Sequence, residues 1–151
     1  PRRALPGVAD RALVDRGGSI GARLIIPGVD TTEAFSLVEH PMPPRALAAP
    51  LHRHNREDEY SFVLEGRMGA LLGDHVVEAG PGDLVYTETR ILEIIAPSGF
   101  EEFFVELIDA GGVLAMAPDE LGALCERYGL DMQPDTVPEL LERFDLVIGQ
   151  P

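Results

Sequence analysis

A β-barrel followed by a helical tail is the fold class this sequence predicts, and three observations predict it. Short runs of alternating apolar residues recur from Gly21 to Ala96. Gly and Pro punctuate them at short, regular intervals, the pattern of an antiparallel sandwich or barrel. After Pro97 the apolar period lengthens to three and four, which marks amphipathic helices. The 151 residues suffice for one domain with a real core. We expect an N-terminal arm over 1–18, a barrel over 19–97 and a helical extension over 98–151.

Taken in order, the arm carries Pro, Gly and Arg without period. Gly21 to Ile26 is the first strand and stops at Pro27-Gly28. Ala34 to His40 is the second, ended by Pro41, Pro43 and Pro44. Leu47 to His54 is the third, and Glu59 to Leu64 the fourth. Gly66 turns the chain into Arg67 to Leu72, and Gly73-Asp74 makes a tight hairpin to His75 to Glu78. Leu84 to Tyr86 and Ile91 to Ala96 complete the set. Gly80-Pro81-Gly82 lies between strands, so no helix N-terminus stands behind it to hold a phosphate. Ser98 and Glu101 have the spacing of a capping box, opening a helix to about Asp109 with Phe103, Phe104, Leu107 and Ile108 on one face. Asp119 to Tyr128 is a second helix, with Leu121, Leu124, Cys125 and Tyr128 as its stripe and Gly129 as its stop. Thr136 and Glu139 read as another capping box, before Leu140, Leu141 and Phe144.

Composition excludes several partners. Net charge is −14, which repels nucleic-acid phosphate and anionic membrane surfaces. No apolar run is long enough to span a bilayer and no secretory signal pattern is present. The chain begins at Pro1, so we expect a trimmed or incomplete N-terminus. All twelve basic residues are Arg, five of them before Ile25; we read this as the coding bias of a GC-rich bacterial genome. Cys125 is the single cysteine, which forbids an internal disulfide and suits a cytoplasmic location.

One stretch carries chemistry. His52 and His54 are two apart on a strand and present both imidazoles to one face. Asn55 to Asp58 are polar and turn-like. Glu59 opens the return strand and, in a hairpin pair, lies beside His54. Two imidazoles and one carboxylate converging in this way form a facial triad suited to non-haem Fe(II), with Mn, Ni and Zn as alternatives. Ser61 and Val63 share the face of Glu59 and are expected to line a small, mostly apolar pocket, or else to fill the core. Tyr60, Phe62 and Leu64 point the other way, so the helices or a second subunit must cover them; we expect a homodimer. His40 and His75 read as incidental, Cys125 as core, and Glu57 and Asp58 as solvated loop residues.

At these residues the chain resembles the cupin superfamily. His52-x-His54-x4-Glu59-x6-Gly66 follows the first cupin motif after its leading Gly. The text around it, with Ile91 to Phe104 and Arg127 to Leu130, is similar to small bacterial single-domain cupins of the quercetin-dioxygenase-like group. The resemblance implies an all-β cupin double-stranded β-helix, a jelly-roll barrel, with a C-terminal helical tail. It also implies a metal-dependent dioxygenase-like oxidoreductase acting on a small organic substrate. The alternative is a non-catalytic sensor or accessory cupin with a degenerate site.

The second motif breaks. Gly82 to Tyr86 starts it, but the strand bearing the family's fourth ligand, a histidine, does not follow. No histidine lies beyond His75. On the order of fifteen residues are missing relative to usual strand and loop lengths, with the junction near Glu88–Thr89. A chain joined directly at that point would send Ile91 to Ile95 in the wrong direction and open a seam of unpaired backbone. We therefore expect a segment to belong there. A true deletion is the rival, and Glu93 as a substitute ligand ranks third.

Overall fold

Residues 21–83 and 89–148 are described by the structure, a computed structural model of the chain. The expected arm, the expected strand Leu84 to Tyr86 and most of the broken second motif lie outside those residues. The chain runs β1 (Arg23–Ile26), β2 (Ser36–Pro41), β3 (Leu51–His54), β4 (Asp58–Gly66), β5 (Met68–Leu72), β6 (His75–Ala79) and β7 (Thr89–Ala96). It continues through α1 (Glu101–Asp109), α2 (Pro118–Tyr128), β8 (Leu130–Gln133) and α3 (Val137–Phe144).

The main sheet has the order β1-β2-β7-β4, antiparallel throughout. β5 and β6 form the hairpin that Gly73-Asp74 predicts, with Leu72 opposite His75 and Gly73 at φ 61°. This is consistent with a jelly-roll barrel, although the ladders among the described residues do not close into a ring. Alternation sets the layers. Ser36, Val38 and His40 of β2, Ile91 and Ile95 of β7, and Ser61 and Val63 of β4 face inward and are buried. Tyr60, Phe62 and Ile94 face outward and remain exposed. The helices therefore do not cover that outer face. α1 and α2 pack instead against Val38 and Ile95 through Phe103, Leu124 and Cys125, with Phe100 before α1 and Leu130 of β8 in the same cluster. Val63 joins a separate core cluster with Met68, Ala79 and Ile91.

Four expectations need correction. β3 does not pair with β4; its ladder partner is β8, with His52 opposite Met132 and His54 opposite Leu130. The tail is thus not purely helical, because Gly129, at φ 69°, ends α2 and turns the chain straight into a strand. The Ser98 capping box does not form. α1 starts at Glu101, and that carboxylate accepts the Gly28 N–H at 2.9 Å and the Gly99 N–H at 2.5 Å. Nor does Thr136 cap α3: its hydroxyl donates to Gln133 O at 2.6 Å and accepts the Leu51 N–H at 3.2 Å. In both places a tertiary partner outcompetes the local one. β7 itself sits in an unbroken ladder with β2.

Candidate metal centre

His52 and His54 share one face of β3 because they flank Arg53, whose guanidinium turns out toward Asp131 at 3.7 Å. Glu59 stands at the second position of β4, across the Asn55–Glu57 connection. One ligand atom from each of His52, His54 and Glu59 lies within 4.8 Å of the other two. The convergence does not depend on the β3–β4 ladder expected for it; the short connection suffices. The two imidazoles meet edge to face at 5.3 Å between centroids, and Phe100 packs edge-on against His54 at 4.4 Å.

Each imidazole is oriented from behind. His52 Nδ1 donates to Pro50 O at 2.9 Å, which leaves Nε2 with its lone pair toward the group. His54 Nε2 lies 3.3 Å from Glu59 Oε2. Its Nδ1 faces Glu57 Oε2 at 3.8 Å, and both of those atoms are buried without a hydrogen-bond partner. Glu57 is therefore not the solvated loop residue expected. Its half-buried carboxylate stands behind a candidate ligand, as such partners do around metal-bound imidazoles.

The interior behind Glu59 is also polar. His40, wholly buried, sets Nδ1 2.8 Å from Gly21 O and Nε2 2.9 Å from Glu93 Oε2. Glu93 Oε1 accepts the Ser61 hydroxyl at 3.3 Å. Sequence spacing does not single out His40, and it offers Glu93 only as a third-ranked substitute ligand, whereas the donor group comprises His52, His54 and Glu59. The signal available was alternation: Glu93 and His40 each fall on the inward phase of their strands. His75 is exposed, as its hairpin position suggests.

These contacts shift the titrations. Burial opposes charge on His40, but the Glu93 carboxylate outweighs it and the pKa rises. Burial also opposes charge on His54, and Glu59 and Glu57 together outweigh it, again raising the pKa. Glu59 is pushed up by burial and by the neighbouring Glu93. For Glu93 burial works upward, but His40 prevails and holds it below the ordinary carboxylate range.

A metal ion fits this group. The donors are two nitrogens and one oxygen on one face, and the surrounding carboxylates of Glu57 and Glu93 favour a cation. Metal–ligand bonds of about 2.0–2.2 Å place donors that share an ion at most roughly 4.4 Å apart, so the group needs only slight contraction. Among the described residues no fourth donor joins the three.

A family model described as "Cupin domain" matches residues 39–92. No curated protein matches the chain in sequence. Among solved structures, Streptomyces PAC13 with uridine is 13% identical with a TM-score of 0.52, covering 68% of this chain and 88% of its own. Pac13 is described as a unique nucleoside dehydratase in a second structure, at 13% identity and a TM-score of 0.52, over 67% of this chain and 88% of that one. KdgF from Halomonas sp. is 14% identical with a TM-score of 0.51, covering 62% of this chain and 94% of its own. At such identities the likeness is one of fold alone.

Proposed function

The chain carries a small cupin domain, and from that premise we propose that it is a metal-dependent enzyme of dioxygenase-like chemistry acting on a small organic substrate. The observation that carries this reading is the convergence of His52, His54 and Glu59 on one inner face, with Pro50 and Glu57 behind the imidazoles. Fe(II) suits a two-histidine, one-carboxylate set best, with Mn, Ni or Zn as alternatives. When bound, the metal supplies Lewis acidity, a template for substrate and, for iron, a route for electrons. The protein's part is orientation: Pro50 O sets the His52 tautomer, and Phe100 restricts the His54 ring. Ser61, whose hydroxyl donates to Glu93, is the polar residue proposed to line the substrate pocket, whereas Val63 is packed into the core with Met68 and Ile91 and would serve it only as a wall.

A second reading, a non-catalytic ligand sensor, is favoured by the three-donor set, since no fourth donor stands among the described residues. The exposed Tyr60, Phe62 and Ile94 form an apolar patch on the outer sheet face, which supports a homodimer through that face; sedimentation at twice 16.4 kDa would bear this out, and a monomer would not. The sole cysteine, buried Cys125, suits the cytoplasm.

Metal analysis after anaerobic purification tests the site. About one metal per chain is expected, falling below roughly a tenth in His52→Ala because the loss of one of three ligands removes most of the affinity. A wild-type chain with no more metal than the variant sinks the reading. Oxygen uptake with small phenolic or thiol substrates then separates the enzyme from the sensor, which takes up none.

A further inference from the structure

Asn55, Arg56 and Glu57 connect the strand of His52 and His54 to the strand of Glu59. β3 and β4 share no ladder, so this connection takes its placing from elsewhere. Its anchor is the C-terminal end of α2. The last carbonyls of a helix have no partner within it, and cationic side chains suit them. The Arg56 guanidinium donates through Nη1 to Arg127 O at 2.8 Å, and the Asn55 N–H donates to Gly129 O at 3.0 Å. Gly129, at φ 69°, is the residue that stops the helix. It also leaves the space in which Arg56 lies: a Cβ there would stand 2.9 Å from Arg56 Nε and 3.2 Å from its Cγ and Cδ. The arginine stem thus crosses the helix stop, and its tip reaches the carbonyl two residues back. The end of α2 is itself held. Tyr128 and Arg127 both reach Glu106 of α1, and α1 begins directly after Phe100, the ring that packs on His54.

We propose that Arg56 is a positioning residue that clamps the Asn55–Glu57 connection to the end of α2, and so holds His54 and Glu59 at the spacing the candidate metal position requires. The charge of Arg56 works against the site, because a guanidinium near a metal position repels the ion. Its hydrogen bond works for the site, because a constellation keeps its geometry only where its supports are fixed. His52 is oriented by Pro50 and His54 by Phe100. Arg56 is the corresponding restraint on the connection that sets Glu59 against them. This inference rests on the metal-site reading above.

The two effects have opposite signs, and two variants separate them. Arg56→Gln removes the charge, and its shorter arm cannot reach Arg127 O. Arg53→Gln removes the same charge from the metal strand itself, where the exposed guanidinium faces Asp131 at 3.7 Å. The readouts are Co(II) affinity, by competition with a chelating dye, and the visible absorption of bound Co(II). Arg56→Gln is expected to bind Co(II) roughly three- to tenfold more weakly than wild type, the scale of one hydrogen bond from a charged donor, with shifted bands. Arg53→Gln is expected to match wild type, or to bind up to about threefold more tightly, with the bands unchanged. Binding by Arg56→Gln that is as tight as wild type or tighter overturns the proposal, because charge is then all that Arg56 contributes. Weakening as large or larger in Arg53→Gln overturns it too, as does weaker binding by Arg56→Gln with wild-type bands. A wild-type chain that takes up no Co(II) sinks the metal site itself, and this inference with it; uptake by wild type with Arg56→Gln indifferent sinks only the inference.

Discussion

Glu57 and His54 pose the sharpest question at the scale of single residues. Two buried polar atoms, His54 Nδ1 and Glu57 Oε2, face each other at 3.8 Å, too far for a hydrogen bond. An unsatisfied buried polar group costs on the order of 1–3 kcal/mol. A cation bound at Nε2 leaves the ring proton on Nδ1, so a small shift of the Glu57 carboxylate toward it would satisfy both atoms. Replacing Glu57 by Ala is therefore expected to weaken metal binding by roughly tenfold or more. A metal titration by calorimetry checks this, and unchanged affinity would show that Glu57 is only a loop carboxylate. The grouping of His52, His54 and Glu59 was legible in the sequence because period-two spacing and a short polar connection are local. Glu57, Glu93 and His40 were not legible in the same way. Their significance comes from partners 3, 32 and 53 positions away, fixed by register and depth and not by motif.

Elements in this chain are anchored by contacts that local rules did not foresee. The loop after β1 meets the start of α1 at Gly28, whose N–H donates to the buried Glu101 carboxylate. A Cβ at Gly28 would stand 2.2 Å from Ser98 Oγ and 2.8 Å from Glu101 Oε1. Gly28→Ala must therefore displace that carboxylate or the helix start, and overpacking of this kind costs about 1–3 kcal/mol. Chemical denaturation should show a lower midpoint at unchanged slope. No change would mean that the loop yields freely. The helices are tied by Tyr128 of α2, whose hydroxyl donates to Glu106 Oε1 of α1 at 2.6 Å, with Arg127 on the same carboxylate. Burial first, and then the hydrogen bond to Glu106 and its charge, push the Tyr128 pKa up to about 12. An acid with a raised folded pKa contributes stability that is fully present below its unfolded value, near 10, and is lost as pH rises through about 12. Absorbance at the tyrosinate band, compared between wild type and Tyr128→Phe, should assign the latest of the three tyrosine transitions to Tyr128. If all three ionise together near pH 10, the tie to Glu106 is absent in solution. The capping boxes at Ser98 and Thr136 looked sound as local patterns, but Glu101 and Thr136 were taken by Gly28 and Leu51, residues that only the folded chain brings near.

Across the whole molecule, strand order was partly readable and strand partnership was not. Apolar alternation and Gly/Pro breaks placed seven of the eight strands among the described residues, and the switch of period after Pro97 placed the helices. The eighth, β8, is a four-residue segment directly after a helix stop, with too few residues for a period to show. It nevertheless decides how the candidate metal strand is held. β8 pairs along all of β3. Around that ladder Asn55 N–H donates to Gly129 O at 3.0 Å, Leu51 N–H to Thr136 Oγ1 at 3.2 Å and Leu47 N–H to Val147 O at 2.9 Å. The segment from 45 to 55 thus leans on the segment from 129 to 147 at both of its ends. A strand of four residues with neither partner nor cover does not hold register, and its bare edge invites pairing with another chain. Ending the chain after Gly129 should leave the β4–β7 sheet intact by circular dichroism while β3 loses its ladder. Metal stoichiometry should fall well below one per chain, and light scattering should report association through the exposed edge. A truncated chain that stays monodisperse and binds metal as the full chain does would mean that β3 is held by the barrel itself, and that β8 is only laid along it.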